Sequence, residues 1–232
     1  MTQYTYLSID LGALLIPLIF SFHPKIKFNQ QWPFYLPAMI MVALPFLVWD
    51  EYFTTIGIWG FNPDYLSGLY IGHLPIEEIL FFLCIPYACV FSYHCIKVSE
   101  YKPISDKTVK ITTAMICLAL GILLALNFGK YYPTSTFVLL ITSLLFFTFV
   151  KPSPYLNTFY FTYLILQVPF FITNGLLTGS WIDEAIVWYD DSENLGIRIA
   201  TIPLEDTFYG MLLILWNIAV YEVIKSRYSK IS

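Results

Sequence analysis

Two pairs of adjacent acids stand where long apolar runs begin. Leu74-Pro75-Ile76-Glu77-Glu78 opens the run 79–96, and Ile202-Pro203-Leu204-Glu205-Asp206 opens the run 207–224, 128 positions further on. Ionisable side chains at bilayer depth are costly and mark a functional site by default. A pair in which one carboxyl stays neutral while the other is ionised offers an acid and a base side by side. The chemistry this predicts is proton transfer to and from an apolar molecule. One such motif alone has a structural reading, since proline suits a first helical turn and acids there complement the helix dipole. The second copy tips the reading toward function. Adjacent helical residues point about 100° apart, so the two acids of a pair cannot face the same spot. Glutamate comes first in both copies, which places Glu77 and Glu205 toward the substrate as proton donors, with Glu78 and Asp206 as tuning or accepting partners.

The duplication extends upstream and supplies further candidates. Gly68-Leu69-Tyr70-Ile71-Gly72-His73 lies over Gly196-Ile197-Arg198-Ile199-Ala200-Thr201, and Leu44-Pro45-Phe46 over Val168-Pro169-Phe170, so that Asp50 meets Asn174. Asp50 and Asn174 close the outer ends of their helices, either hydrogen-bonding the acids or simply solvated at the interface. Arg198 precedes the second acid pair as Tyr70 precedes the first, and is expected to pair with Glu205 or Asp206. The stretches 51–74 and 175–202 are rich in aromatics, Trp59 and Trp188 among them. They read either as an aromatic belt at the lipid–water interface or as a cover whose rings face a developing cation. His73 lies close enough in sequence to join the site, whereas His23 and His94 fall toward the other face.

The elements that must hold these residues are membrane helices. Hydrophobic residues make up 58% of the chain and charged residues 12%, a balance that spans of about 20 apolar residues explain directly. Seven spans are predicted, at 4–22, 34–48, 76–96, 111–128, 133–150, 156–172 and 204–224. With the N-terminus outside, the inner loops and tail hold Lys25, Lys27, Lys97, Lys102, Lys107, Lys110, Lys151, Lys225, Arg227 and Lys230, leaving Lys130 and Arg198 outside. That asymmetry predicts N-out, C-in. Of the acids, only Glu100, Asp106 and Glu222 fall inside. No basic residue precedes the first apolar run, and Asp10 sits within it, so the first helix is expected to be retained rather than cleaved as a signal. The fold class expected is an all-α integral membrane protein of about seven helices, built from two parallel three-helix repeats. Its divisions are 1–106 for the first repeat, 107–130 for a linker helix and 131–232 for the second repeat.

Other chemistries lack their residues. Cys84, Cys89, Cys95 and Cys117 and the three histidines show no metal-ligand spacing, so no metal is expected. No glycine-rich phosphate loop or G-x-G-x-x-G occurs, which removes nucleotide and flavin folds, and no cofactor or nucleic-acid partner is expected. Asp190-Asp191-Ser192-Glu193-Asn194 resembles a diphosphate–magnesium motif but has no second acidic motif to complete it. A retinal protein needs a lysine midway along its last helix, and 204–224 has none.

The chain resembles the membrane lycopene cyclases of the heterodimeric, carotenoid-cyclase-domain type, with both halves fused. The likeness rests on the motifs at 74–78 and 202–206, on Gly57-Ile58-Trp59-Gly60-Phe61-Asn62-Pro63 and on Gly196-Ile197-Arg198-Ile199. The added phytoene synthase domain of the fungal versions is not seen in this sequence. The resemblance implies a lycopene β-cyclase, an intramolecular lyase or isomerase, that turns the acyclic ends of lycopene into the rings of β-carotene without a cofactor. It maps the family's acidic motif onto Glu77, Glu78, Glu205 and Asp206. Asp50, Asn62, Asn174, Trp59, Trp188 and Arg198 are then the expected substrate-binding residues, although Asp190-Asp191 stands where the first repeat has Asn62-Pro63. Lycopene, the lipid bilayer and other carotenoid-pathway enzymes are the expected partners, and a bacterial cell membrane the expected location. Elementary chemistry agrees: protonating a terminal alkene, closing the ring on the cation and losing a proton is an isomerisation with no net redox. The rival readings are a proton-coupled transporter or carrier of a small apolar molecule, an isoprenoid transferase, and a cyclase of another acyclic carotenoid.

Overall fold

The computed structural model describes residues 3–99, 101 and 104–228; Lys102, Glu100 and Lys230, used above to argue orientation, lie outside them. Seven α-helices are found among the described residues: α1 Thr5–Phe20, α2 Trp32–Thr55, α3 Ile76–Val98, α4 Asp106–Leu126, α5 Tyr131–Leu145, α6 Tyr155–Leu177 and α7 Leu204–Tyr228. Six are long and apolar enough to cross a membrane, α5 with its π-helical continuation Phe146–Val150. The sixteen residues of α1 give about 24 Å of helix, short of the ~30 Å of a typical hydrocarbon core. The molecule is an all-α membrane protein.

Its surface fits that solvent. On α4 the side chains of Ile111, Met115, Leu118, Ile122 and Leu126 follow one another at helical spacing, each about half exposed or more. A stripe of that size is a liability in water and an ordinary lipid face in a bilayer. In α3 and α7, 50% of the apolar window is buried, against 17–33% in the other spans. The helices that carry the acid pairs are therefore the central ones. α1 packs along α3, α2 and α5 along α7, and α4 along α5.

Two helices run further than hydropathy predicts. α2 continues past Val48 through Trp49, Asp50 and Glu51 to Thr55, and α6 past Ile172 to Leu177. Polar residues do not end these helices because their side chains find partners: Asp50 takes the indole N–H of Trp59 at 2.5 Å, and Asn174 donates to Asp206 at 2.8 Å. Pro37 and Pro45 lie inside α2, as proline does in membrane helices whose neighbours satisfy the freed carbonyls. Ser105 caps α4, its hydroxyl accepting the Thr108 N–H at 3.1 Å.

The two aromatic connectors are built as a matched pair and joined to each other. β1 (Trp59–Phe61) and β4 (Val187–Tyr189) form an antiparallel ladder across the halves, with Trp59 opposite Tyr189 and Phe61 opposite Val187. Each connector then makes a short hairpin into its acid-bearing helix: β2 (Tyr70–Ile71) with β3 (Leu74–Pro75), and β5 (Arg198–Ile199) with β6 (Ile202–Pro203). The hairpin turns need a left-handed residue, supplied by Gly72 at φ 66° and Ala200 at φ 55°. At Gly72 a Cβ would lie 2.8 Å from the Glu51 carboxylate, so that flexible side chain would have to shift.

Candidate functional site

Beneath the β1–β4 ladder lies an apolar cavity of about 380 Å³, walled by α1, α3, α6 and α7. Its lining on α3 runs from Glu78 to Ser92, about 21 Å of helix, so the space is a channel rather than a pit. Ile16 of α1 lines it and is 65% exposed, which leaves one wall open toward the lipid side.

Glu78 and Asp206 both line this cavity; Glu77 and Glu205 do not. This reverses the facing expected from the sequence. Glu77 and Glu205 are fully buried and each turns one carboxylate oxygen back to its own connector. Glu77 accepts the Ser67 N–H at 2.7 Å, and Glu205 accepts the N–H of Leu195. A carboxylate in the first turn of a helix is well placed to take an amide from the chain that precedes it. The acid one position on then points about 100° round the helix, into the cavity.

The cavity-facing acids hold different company. Among the described residues Asp206 accepts three hydrogen bonds: from the Tyr132 hydroxyl at 2.6 Å, the Asn174 amide at 2.8 Å and the Tyr189 hydroxyl at 2.9 Å. Those three donors offset part of the cost of burying a charge there. Glu78 accepts one, from the Tyr6 hydroxyl at 2.5 Å. Tyr6 on α1 and Tyr132 on α5 are matching positions of the two halves, so one tyrosine–carboxyl contact is duplicated and the rest is not. Asp50 sits in the same wall, one oxygen on Trp59 and the other unpartnered among the described residues.

Aromatic faces close the end of the cavity beneath the ladder. Trp59 lies 5.1 Å from Tyr132 and 6.2 Å from both Tyr189 and Tyr209, centroid to centroid. All four rings line the cavity. Electron-rich faces at this distance attract a cation. The sequence reading passed over Tyr6, Tyr132 and Tyr209; the recurrence of tyrosine at 6 and 132 was the available signal.

Three expected substrate contacts fall outside the cavity. Trp188 is 46% exposed and lies over Gly60, where an added Cβ would come 2.3 Å from its ring. Asn62 turns to Glu184 at 3.0 Å. Arg198, expected on Glu205 or Asp206, instead donates to Asp191 at 2.5 Å and to the Thr201 carbonyl at 2.7 Å. The Asn194 amide and the Arg198 guanidinium hold Asp191 below the usual carboxylate range, so the acidic run 190–194 is engaged in fastening its own connector. His73 likewise fastens the first connector, to Glu51 at 2.6 Å.

The class of protein is an all-helical membrane protein with an acid-lined, aromatic-roofed channel among its helices. Comparison with known sequences gives the family. A model of the family described as Lycopene cyclase matches residues 3–96 and 129–224, and the chain belongs to the lycopene cyclase family, enzymes of carotenoid cyclisation. It is 29% identical over 125 residues to a bifunctional lycopene cyclase/phytoene synthase of Podospora anserina, an alignment covering 52% of this chain and 20% of that protein. The chain thus spans about a fifth of that relative's length. No solved structure matches it.

Proposed function

We propose that this chain is a lycopene β-cyclase, an intramolecular lyase working by acid–base catalysis without a redox step. The observation that carries the reading is the placing of two carboxyl groups of unlike surroundings, Glu78 and Asp206, on the wall of one apolar channel. Glu78 gives its proton to the terminal double bond of lycopene, and a new C–H bond forms. The tertiary cation is attacked by the neighbouring alkene and the ring closes. The shifted cation faces the rings of Trp59, Tyr132, Tyr189 and Tyr209 until a C–H proton passes to Asp206 and a ring double bond forms. Asp50 and Asn174 hold the end group and Asp206 respectively. The rest of the polyene lies down the channel between α3 and α6.

The halves 1–106 and 131–232 act as two repeats with 107–130 as linker, a division supported by the matching hairpins and the matching Glu77 and Glu205 ties. The basic residues at Lys25, Lys27, Lys97, Lys151 and Lys225 favour a cytoplasmic C-terminus, and a bacterial cell membrane is the setting we assign. Membranes containing the chain, given lycopene without added flavin, nicotinamide or metal, are expected to form one-ringed and then two-ringed β-products, read by chromatography. Lycopene recovered unchanged from membranes that contain the folded protein would overturn the reading.

Glu77 and Glu205 serve as positioning residues. Gln at either place keeps an oxygen for the connector amide, so Glu77→Gln and Glu205→Gln are expected to keep most activity. Glu77→Ala and Glu205→Ala leave a buried N–H without its acceptor, at about 1–3 kcal/mol each, and are expected to lower the melting temperature in detergent. A folded Glu77→Gln protein without activity would return this residue to the reaction itself.

A further inference from the structure

A second carboxyl group stands behind the first. Asp10 on α1 is fully buried, and neither of its oxygens has a hydrogen-bond partner among the described residues. It lies one helical turn from Tyr6, whose hydroxyl donates to Glu78, and its charged neighbours are Glu78 and Glu77 on α3. α1 packs along α3 more closely than on any other helix, so Asp10 is held in the wall behind the acid. In the other half the matching place on α5 is Thr136, fully buried and also unpartnered. The matching buried place thus carries a short uncharged side chain in one half and an acid in the other. A buried carboxyl without donors costs stability, and the half that carries it is the half of Glu78.

Resting on the acid role given above to Glu78, we propose that Asp10 is a proton-relay residue that restores the proton of Glu78 after each ring closure. When the alkene takes the Glu78 proton, Glu78 is left as a carboxylate. The O–H bond of Asp10 breaks and that of Glu78 re-forms through a water molecule held between the two buried carboxyl groups, which takes one proton as it gives another. Asp10 is then the carboxylate until water at the outer end of α1 returns its proton. The proton that Asp206 collects leaves to water at the same end, so each ring takes up and releases one proton. Asp10 touches no substrate in this scheme; it acts through Glu78.

The relay predicts a signature that a packing role does not. Asp10→Asn and Asp10→Thr are each expected to lower kcat about 10-fold, less than the ~10²–10⁴ of a general acid itself. KM for lycopene is expected to stay unchanged, and the solvent deuterium isotope effect on kcat to rise as proton supply becomes slow. Asp10→Glu should recover part of the rate. If Asp10→Asn fails to insert, Asp10→Thr decides, since its side chain already occupies the matching buried place. Asn and Thr variants with kcat within about twofold of the parent, or a lower kcat with no change in the isotope effect, overturn the relay. Glu78→Gln measured beside them separates the two claims: an inactive Glu78→Gln with a normal Asp10→Asn defeats Asp10 alone, whereas an active Glu78→Gln defeats the acid assignment on which it rests.

Discussion

Glu78→Gln and Asp206→Asn will each stop ring formation in membranes that still contain the folded protein. Both substitutions keep the shape of the side chain and remove the exchangeable carboxyl. The two losses should differ in kind. Gln at 78 still accepts the Tyr6 hydroxyl but has no acidic proton, so protonation of the alkene fails and lycopene accumulates. Asn at 206 keeps one oxygen, for Tyr132 or for Tyr189 and Asn174 but not for both sets, since these bind different oxygens of Asp206, and it offers no anion to receive the departing proton. Removing a general acid or base typically costs about 10²–10⁴ in rate, or about 3–5 kcal/mol of barrier. Deuterium from D2O should enter the lycopene recovered from Asp206→Asn, whose Glu78 can still protonate the alkene reversibly, and not the lycopene recovered from Glu78→Gln. Near-parental turnover in either variant removes that residue from the reaction.

The two acid pairs are legible in the sequence, but not which member of each pair turns to the cavity. Run lengths and mean hydropathy predict the helices, because each backbone polar group in a membrane must be satisfied within its own segment. The repeat predicts that two acid pairs belong to one site. Choosing between neighbours failed on a local detail. The criterion was identity between copies, and Glu77 and Glu205 are identical because they do the same structural work on Ser67 and Leu195. Glu78 and Asp206 differ because they face different partners. The ends of α2 and α6 were misplaced because Asp50 and Asn174 read as polar stops. Their partners, Trp59 and Asp206, are distant in sequence or in another helix. Nothing in hydropathy reports a tertiary partner. The β1–β4 ladder was equally hidden: three-residue strands carry no period, and their pairing joins positions about 128 apart.

Division of the chain will show that the site belongs to both halves. Residues 1–103 carry Tyr6, Asp50, Trp59 and Glu78; residues 104–232 carry Tyr132, Asn174, Tyr189, Asp206 and Tyr209, together with the Ser105 cap of α4. Acid and base thus come from different fragments, and the aromatic roof is divided, with Trp59 in the first and Tyr132, Tyr189 and Tyr209 in the second. The connectors are also interlocked, with Asn62 N–H on the Ile186 carbonyl and Asp190 N–H on that of Ile58, both at 2.8 Å. Either fragment alone is expected to give no cyclic carotenoid in lycopene-producing cells, although both insert. Together they are expected to associate through α2 on α7 and α3 on α6 and α7 and restore product. The restored enzyme should lose activity when Gly60→Val is placed in the first fragment, since that side chain would collide with Trp188 of the second. A ring formed by one fragment alone would mean that each acid pair is a complete catalyst. The different hydrogen bonds of Glu78 and Asp206 would then be two settings of one site rather than the acid and base of a shared one.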